Sequence, residues 1–521
     1  NKIGKVLKID DTNNNENTIK IRSKEELPKN LSIITDGYVN SIPIINAIRR
    51  FVNSAVKGEK KYNATYDILK KNYPKIKNLK EGENIIKDGD FLKESLKAVK
   101  DMNNSYIYFQ GPPGVGKTYT AAFIVIELLK KGKKIGITAQ SHKIIFNLLK
   151  KIEELSLNDK FSFKGFHKAG TDKDKRFEGE NFIKNAGRVK TGPGKKDWED
   201  EMKLEFSKMN ADLFSGTAWC FTGVNNTKLP FSDQKPVCDQ KLDYIFIDEA
   251  GLLSIGDIVA ISLSAKNVVI IGDQMQLSSP TSALHPGKSG DSVPDYLLEN
   301  QDTISPDKGV FIDKTRRLHP KICNFISENF YDSRLKYLPF TEKRQINFSK
   351  KEKLLPDTGI VFIDAKHKEI CRQKSLEEGK IIKNLYEKII GTSFTDADEN
   401  GNTTDRLLDI QDILVVAPFN VQVNYLKSIL PKKSRVGTID IFQGQEAPVT
   451  IISMTSSDAE SLPRNINFYF SRNRLNVAVS RSQCLSIVIM NKKILEINCN
   501  KVEHIRLVNT FIKLIDYEKK N

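Results

Sequence analysis

Short apolar runs alternate with longer amphipathic stretches along most of the chain. Strands that alternate with helices are typical of α/β folds with parallel sheets. Eight runs of this kind predict strands: Tyr106–Phe109, Lys134–Thr138, Tyr244–Ile247, Val268–Ile271, Gly359–Ile363, Ile413–Val416, Val449–Met454 and Leu485–Met490. So many strands, spread so widely along the chain, fit two sheets better than one.

The N-terminal part has a different pattern. Two alternating runs, Ile3–Ile9 and Thr18–Ile21, predict strands joined by the Asn-rich turn Asp11–Asn17. Helical periodicity follows from Ile45 to Lys71, and a further helix is predicted over Phe91–Met102.

Charge adds a first indication of a partner. The 521 residues include 82 Lys and Arg against 65 Asp and Glu, a difference of 82 − 65 = +17. Such an excess favours a polyanion, nucleic acid first, although a Lys-rich solvated surface would look the same. The basic stretch Lys160–Lys196 contains five Phe residues, and we interpret it as a solvated insertion with core-facing rings rather than a stacking platform.

Hydrophobicity and cysteine usage exclude several classes of protein. The longest apolar run, Ala121–Leu129, is too short to cross a membrane, and no signal peptide is visible at the start. Six cysteines lie far apart without a CxxC pair, which argues against a zinc site or disulfide framework and favours a reducing compartment such as the cytoplasm.

A phosphate-binding loop is the clearest chemical motif. Residues Gly111-Pro112-Pro113-Gly114-Val115-Gly116-Lys117-Thr118 fit GxxxxGK[ST], and they stand between a predicted strand and a helix-forming run. In this context the backbone N–H groups cradle phosphates and the helix N-terminus favours their charge. Lys117 would reach the β- and γ-phosphates, and the Thr118 hydroxyl would ligate Mg²⁺.

Acidic and amide side chains follow two later strands. Asp248 and Glu249 come directly after Leu242–Ile247, so Asp248 would hold Mg²⁺ and Glu249 would polarise the attacking water. Gln276 follows Val268–Ile271 and is our candidate for sensing the γ-phosphate, although an ordinary Gly-Asp turn would give the same spacing.

Positive charge must also meet the transferred phosphoryl group, and two arginines are candidates for this role. Arg317 lies in Arg316–Pro320, and Arg481 ends the run Arg474–Arg481. Among 82 basic residues, chemistry alone identifies neither.

The ordered set of motifs resembles the superfamily 1B helicases of the nonsense-mediated-decay type. The resemblance covers Ser105 to Met490. Its blocks are motif I Gln110–Thr118, Ia Gly136–Lys143, Ic Gly216–Phe221, II Asp248–Gly251, III Gly272–Pro280, IV Arg316–Pro320 (continuing to Tyr331), a further block Val415–Val423, V Val436–Glu446 and VI Arg474–Arg481. Motif Ia and the Gly216–Trp219 and Gly272–Leu277 runs look like the helicase half of a bacterial family that fuses a RecB-like nuclease to such a helicase. The resemblance implies an N-terminal nuclease domain outside this sequence.

The resemblance also implies a fold and assigns the nucleotide and nucleic-acid contacts to particular residues of its two domains. It implies an α/β chain with two tandem RecA-like P-loop domains, residues 91–310 and 311–521, after a barrel or stalk remnant at 1–90. ATP would bind between the domains, with Lys117, Thr118, Asp248, Glu249 and Gln276 from the first. The second would supply Arg317 and Arg481 as arginine fingers and Glu446 to the ribose. Nucleic acid would cross the opposite side, on Ser141, His142, Thr217, Pro418, Asn420, Thr438 and Asp440.

The sequence departs from the family in one place. Members often carry a glutamine before motif I that reads adenine, but the matching stretch Phe91–Lys100 contains none, and Gln110 adjoins the loop itself. Selectivity for ATP over GTP therefore stays open. The expected function is ATP-driven 5′→3′ translocation on single-stranded or fork DNA with duplex unwinding, in repair, recombination or phage defence. The alternatives are an RNA helicase or a nucleotide-switched clamp that hydrolyses ATP without unwinding.

Overall fold

A computed structural model gives the fold of the protein. It describes residues 5–10, 18–22, 41–87, 89–168, 177–182, 209–223, 236, 238–277, 285–299, 301–348, 355–442, 444–457, 462 and 464–520. The chain divides into two compact units, residues 1–42 and 43–521. In the first unit, the strands β1 (Lys5–Asp10) and β2 (Thr18–Arg22) pair antiparallel, as the sequence predicts.

Helices fill the connections of the larger unit. The α-helices are Ile42–Val56, Asn63–Lys70, Phe91–Lys100, Lys117–Leu129, His142–Asn158, Ala218–Thr222, Ile255–Ser262, Val293–Leu298, Pro320–Phe330, Leu376–Ile389, Asn420–Ile429, Ile466–Tyr469, Arg472–Val479 and Val502–Lys520. Short 3₁₀ helices lie at Ala250–Leu252, Pro339–Lys343, Ile439–Phe442 and Lys492–Glu496. In the part of the chain that is described, each helix is too short or too polar to span a bilayer.

The first large sheet carries the phosphate loop. Its seven strands are β3 (Tyr106–Gln110), β4 (Ile135–Thr138), β5 (Gly165–His167), β6 (Leu213–Ser215), β7 (Leu242–Ile247), β8 (Ala265–Gly272) and β9 (Gly309–Phe311). They pair in the order β5-β6-β4-β7-β8-β3-β9, and every neighbouring pair is parallel. The strands that precede the phosphate loop, the acidic pair and the Gln276 loop are therefore adjacent, and their carboxyl ends meet at one edge.

The second large sheet belongs to the C-terminal half. Its strands are β13 (Gly359–Asp364), β16 (Ile413–Val416), β17 (Arg435–Gly437), β18 (Ala447–Ser453) and β19 (Ser482–Met490), in the parallel order β13-β19-β18-β16-β17. Smaller sheets join β10 (Lys314–Thr315) to β11 (Lys336–Tyr337), and β12 (Gln345–Asn347) to β14 (Ser393–Ala397) and β15 (Thr403–Leu407). All eight predicted strands and the predicted division into two parallel sheets are confirmed.

Both faces of each sheet are buried, as parallel sheets with helical crossovers require. Alternate residues of one strand enter different cores: Ile245 and Ile247 of β7 face one cluster, whereas Tyr244 and Phe246 face another. The first cluster also contains Leu414 and Val488 of the second sheet. The two sheets therefore share an apolar core, and this core holds the halves of the larger unit together.

Two details differ from the sequence prediction. The periodic run Ile45–Lys71 forms two helices rather than one, because the chain turns at Gly58, whose φ of 70° ends the first helix. Four further strands of the large sheets, β5, β6, β9 and β17, have only three residues each, too short for a recognisable pattern. Within Lys160–Lys196, the rings of Phe163, Phe166 and Phe182 are buried and those of Phe161 and Phe177 pack partly buried against the core, as the core-facing interpretation predicts.

Candidate nucleotide and nucleic-acid sites

The phosphate loop connects β3 to the helix Lys117–Leu129, the order that its motif predicts. Gly114 and Gly116 have φ angles of 73° and 83°, a left-handed conformation that glycine adopts without a steric penalty. Lys117 Nζ donates a hydrogen bond of 2.7 Å to the carbonyl of Gly111 across the loop. Its ammonium group therefore spans the loop, where a phosphate would be held.

The segment that leads into the second half packs against this loop. Thr315 Oγ1 donates to the carbonyl of Pro113 (3.0 Å), and the Arg316 N–H donates to the carbonyl of Gly114 (2.9 Å). A Cβ atom added at Gly114 would lie 2.4 Å from Cβ of Arg317. Gly114 is thus needed both for its backbone angle and for this close approach, which brings Arg317 to the loop.

The acidic pair follows β7 at the same edge of the sheet. Burial, and then repulsion from Glu249, raises the pKa of Asp248 to about 7, although Lys117 acts in the opposite direction. The N–H of Glu249 donates to Asp248 Oδ1 (2.9 Å), and Glu249 has φ 46°, uncommon for a residue with a side chain. Strained backbone of this kind is concentrated at functional sites. Asp248 is thus a buried carboxylate at the sheet edge that also carries the phosphate loop, and the carboxylate of Asp248 and the hydroxyl of Thr118 are oxygen ligands of the kind that suits Mg²⁺, which keeps several waters.

The loop after β8 is built around a buried carboxylate, Asp273. Its Oδ2 accepts hydrogen bonds from Gln276 Nε2 (3.0 Å) and from the hydroxyl of Tyr331 (2.7 Å), and its Oδ1 accepts from the N–H of Met275 (3.1 Å). Burial raises the pKa of Asp273 against the effect of these donors and of Lys117. Asp273 therefore fixes the side chain of Gln276 and links it to Tyr331 of the second half.

The helix Arg472–Val479 contacts the same loop. Asn473 Nδ2 donates to the carbonyls of Gln274 (2.7 Å) and Gln276 (2.6 Å). Asn476 Nδ2 donates to the carbonyl of Met275 (2.8 Å) and to the Tyr331 hydroxyl (2.9 Å). The helix Arg472–Val479, which carries most of motif VI, is thus hydrogen-bonded to the carbonyls of three consecutive residues of motif III.

Arg481 is a buried cation whose guanidinium group is only partly hydrogen-bonded. It is 2% exposed, its Nη1 donates to the carbonyl of Gln445 (3.1 Å), and its Nε has no hydrogen-bond partner among the described residues. Burial, and then repulsion from Arg317, lowers its pKa to about 9, while Glu249 and Glu446 oppose the shift. A buried guanidinium of this kind is destabilising without an anion, so the arrangement favours binding of one.

Arg317 and Glu446 form an ion pair beside it. Arg317 Nε donates to Glu446 Oε2, and Arg317 Nη1 donates to the carbonyl of Ser480 (3.3 Å). Gln483 Nε2 donates to the other Glu446 oxygen (2.8 Å). Burial raises the pKa of Glu446, but Arg317 and Gln483 outweigh it and the net shift is downward. Glu446 here anchors Arg317, and its role toward a ribose stays a prediction.

Gln110 has a structural role. It is fully buried; Nε2 donates to Gln274 Oε1 and to the carbonyl of Asp302 (both 2.9 Å), and Oε1 accepts from the N–H of Ile304 (2.7 Å). These three bonds occupy the amide, so Gln110 is not available to read a base.

The first group of predicted nucleic-acid residues follows the neighbouring strands β4 and β6. Ser141 caps the helix His142–Asn158 through a bond from Ile144 N (3.4 Å), and Thr217 precedes the helix Ala218–Thr222. His142 Nδ1 lies 3.0 Å from His167 Nε2, and His167 Nδ1 lies 2.9 Å from Ser215 Oγ. Burial, and then His142, lowers the pKa of His167 to about 3, so this ring stays neutral and fixes the orientation of His142.

The second group lines one cleft at the carboxyl ends of β16 and β17. Pro418, Asn420, Thr438 and Asp440 all border this cleft, whose volume is about 330 Å³. Its remaining walls are Gln373, Phe419, Val421, Arg464, Phe468 and Arg474. The structure therefore brings these four predicted residues together, and it adds basic and aromatic side chains that sequence reasoning missed.

Sequence reasoning also missed the residues that join the halves. Tyr331 and Asn476 lie inside recognised motifs but look like ordinary core and helix positions, and Asp273 looks like part of a turn. The available signal was the spacing of Asn473 and Asn476, which lie three residues apart and therefore on one face of the helix Arg472–Val479.

Two family models match this chain. Both are described as AAA domains, and they match residues 95–282 and 293–493. The chain therefore contains two consecutive regions that are similar to AAA domains. Its sequence relatives are named as helicases or as regulators of nonsense transcripts.

The relatives share about a quarter of their aligned residues with this chain. A DNA polymerase alpha-associated DNA helicase A from Schizosaccharomyces pombe is 25% identical over 74% of this chain and 60% of its own length. A regulator of nonsense transcripts 1 homolog from Drosophila melanogaster is 24% identical over 76% of this chain and 35% of its own length. The chain thus spans less than two thirds of either relative. Among solved structures, the DUF1998 helicase MrfA bound to DNA aligns with 82% of this chain and 51% of that chain, at 11% identity and a TM-score of 0.41.

Proposed function

We propose that this chain is an ATP-dependent translocase that moves 5′→3′ along single-stranded DNA and unwinds duplexes. The observation that carries the proposal is the direct hydrogen bonding of Asn473 and Asn476 to the loop that holds Gln276. A second half that contacts the nucleotide-sensing loop is the arrangement needed to convert hydrolysis into movement of one half against the other. The name of the fission-yeast relative supports DNA as the track.

The nucleotide phosphates would bind in the loop Gly111–Thr118, with the Lys117 ammonium on the β- and γ-phosphates. Thr118 and Asp248 would hold Mg²⁺, which neutralises charge on the phosphate oxygens when it is bound. Glu249 would accept a proton from the attacking water. Gln276, Arg317 and Arg481 would contact the γ-phosphate, and the unpaired Nε of Arg481 supports this assignment.

Loss of the γ-phosphate would remove the anion that Arg481 and Arg317 share with the phosphate loop. The halves would then separate, and the loop that carries Gln276 would transmit the change to the helix Arg472–Val479. Two surfaces would hold the strand, one at Ser141, His142 and Thr217 and one at the cleft of Pro418, Asn420, Thr438 and Asp440. Alternate release of these surfaces would move the chain along the strand. The cysteine usage supports a cytoplasmic location.

A strand-displacement assay tests the proposal. With ATP and Mg²⁺, a duplex with a 5′ single-stranded tail should be unwound, whereas a matched duplex with a 3′ tail should not. ATP hydrolysis without displacement of either duplex would support the nucleotide-switched clamp instead. Displacement from the 3′ tail alone would contradict the proposed polarity.

Strand chemistry and nucleotide base need separate competition experiments. Unlabelled DNA should displace a labelled DNA strand at a lower concentration than RNA of the same sequence and length. Tighter binding of RNA would support the RNA helicase alternative, in keeping with the printed name of the Drosophila relative. Comparison of the hydrolysis rates of ATP and GTP would show whether the chain prefers adenine, although Gln110 is not available to contact the base.

Replacement of Tyr331 by Phe should lower strand-stimulated ATP turnover about tenfold with little change in the KM for ATP. The hydroxyl connects Asp273 to Asn476, so its loss weakens the link between Gln276 and motif VI without touching the phosphate loop. Steady-state ATPase assays with and without a strand measure the effect. Tyr386→Phe is the matched control, because Tyr386 is also fully buried but donates to the Ile410 carbonyl within the second half. Equal kinetic behaviour of both variants would show that the Tyr331 hydroxyl does not couple the halves.

A further inference from the structure

The cleft at the carboxyl ends of β16 and β17 contains an ordered stack of one aromatic ring and two guanidinium groups. The Cζ atoms of Arg464 and Arg474 each lie 4.4 Å from the centroid of the Phe468 ring. The ring of Phe419 lies 6.0 Å from that of Phe468, with 30° between their planes. The half-buried Phe468 therefore orders two arginines that border the cleft.

The two arginines differ in their charge balance. Arg474 lies 3.6 Å from Asp440, so its charge is partly compensated within the cleft. Arg464 is exposed, and among the described residues the one partner of its guanidinium is the Phe468 ring. An exposed arginine normally loses side-chain conformational entropy when it binds a ligand, and this loss weakens binding. Stacking on Phe468 already restricts the Arg464 side chain, so less entropy is lost on binding.

The walls of the cleft suit a nucleobase better than a phosphate. Pro418 and the exposed Val421 supply apolar surface among mostly polar walls, and the planar group of Arg464 can stack on a base as it stacks on Phe468. Asp440, with its side chain 59% exposed, would repel a phosphate but would accept a hydrogen bond from an exocyclic amine. A volume of about 330 Å³ is at the lower end of the range for small-ligand pockets.

We propose that this cleft holds an unstacked base of the bound strand, with Arg464 as the stacking surface and Phe468 as the residue that positions it. This inference rests on the proposed function, because it assumes that the chain binds a single strand. It assigns a base contact in the second half to residues outside the predicted strand-contacting set. The ligand class is one nucleotide unit of single-stranded nucleic acid, read by its base rather than by its phosphate.

A double-mutant-cycle design, which compares a natural strand with an abasic strand in the wild type and in the variants, tests the proposal. Affinities are measured by fluorescence anisotropy for a labelled single-stranded oligonucleotide and for an abasic strand of equal length and charge. The wild-type protein should bind the abasic strand at least about tenfold more weakly. In Arg464→Ala and Phe468→Leu the natural strand should bind about tenfold more weakly, while the abasic strand should bind nearly as it does to the wild type. Lys492→Ala is the control, since it removes one exposed cation that lies over the Phe362 ring (5.3 Å) in the same half.

The outcomes separate this inference from the proposed function. If Arg464→Ala weakens both strands equally and makes binding less dependent on salt, Arg464 is a phosphate contact and the base subsite is wrong. If the variants bind both strands like the wild type, the cleft does not contact the strand. In either case the proposed translocase stands, provided that the wild-type protein binds a strand; no strand binding by the wild type would contradict the proposed function itself.

Discussion

Replacing Glu249 by Gln should lower ATP turnover by about 10²–10⁴-fold while ATP binding is retained. The amide keeps the size of the carboxylate but cannot accept a proton from water. Glu249 is held at φ 46° by its position after β7, and its N–H is bonded to Asp248, so the substitution should leave the backbone in place. Steady-state ATPase assays at saturating strand, together with displacement of a fluorescent ATP analogue, measure both properties.

Glu127→Gln is a suitable control for Glu249→Gln. Glu127 lies in the helix after the phosphate loop, and its carboxylate pairs with Lys130 at 2.7 Å near the surface. This variant should hydrolyse ATP at the wild-type rate. If Glu249→Gln keeps more than about a tenth of the wild-type turnover, another group activates the water.

Replacing Arg481 by Met should reduce turnover by about 10³–10⁵-fold, the range attributed to arginine fingers. The same change should leave the nucleotide-free protein as stable as the wild type or more so. Arg481 is buried with Nε unpartnered, and replacing a buried, poorly compensated charge by an apolar side chain is often neutral or stabilising. Turnover and the thermal midpoint, each measured with and without ATP, test both expectations. The upward shift of the midpoint that ATP causes in the wild type should become smaller.

Arg344 provides the matched comparison, because it is a buried arginine whose guanidinium is well partnered. It pairs with Asp396 (2.9 Å) and donates to the carbonyls of Arg316 (3.1 Å) and Arg317 (2.9 Å). Arg344→Met should therefore lower the thermal midpoint of the nucleotide-free protein, the opposite of Arg481→Met. A similar loss of stability in both variants would mean that Arg481 stabilises the nucleotide-free fold and is not reserved for binding an anion.

The sheets were predictable because their strands are buried on both faces. Such strands appear as continuous apolar runs, as in Ile413–Val416, which follows Asp412, and in Val268–Ile271, which Gly272 follows. The phosphate loop was predictable for a related reason, since its backbone angles require glycine at Gly114 and Gly116. Burial of both strand faces and the backbone angles of the loop determine which residues occur at neighbouring positions, so these features can be found in a single sequence.

The contacts between the halves were not predictable in the same way. Tyr331 and Asn476 meet across 145 positions, and the bond between Asp273 and Tyr331 spans 58. Neither residue type nor spacing indicates such a pair, because it depends on how two sheets pack through a shared core. The contacts of Phe468 with Arg464 and Arg474 were not predictable for another reason: the two arginines lie on either side of it, and one short helix ends and another begins between Phe468 and Arg474, so no single helical period links the three.

The central claim is that nucleotide hydrolysis between the two halves is coupled to a nucleic-acid strand. The most direct measurement is the ATP hydrolysis rate of the wild-type protein with and without single-stranded DNA or RNA, over a range of salt concentrations. We expect a strand to raise the rate at least about tenfold at low salt, with the stimulation falling as salt weakens phosphate contacts. An ATPase rate that neither strand changes at any salt concentration would contradict the claim.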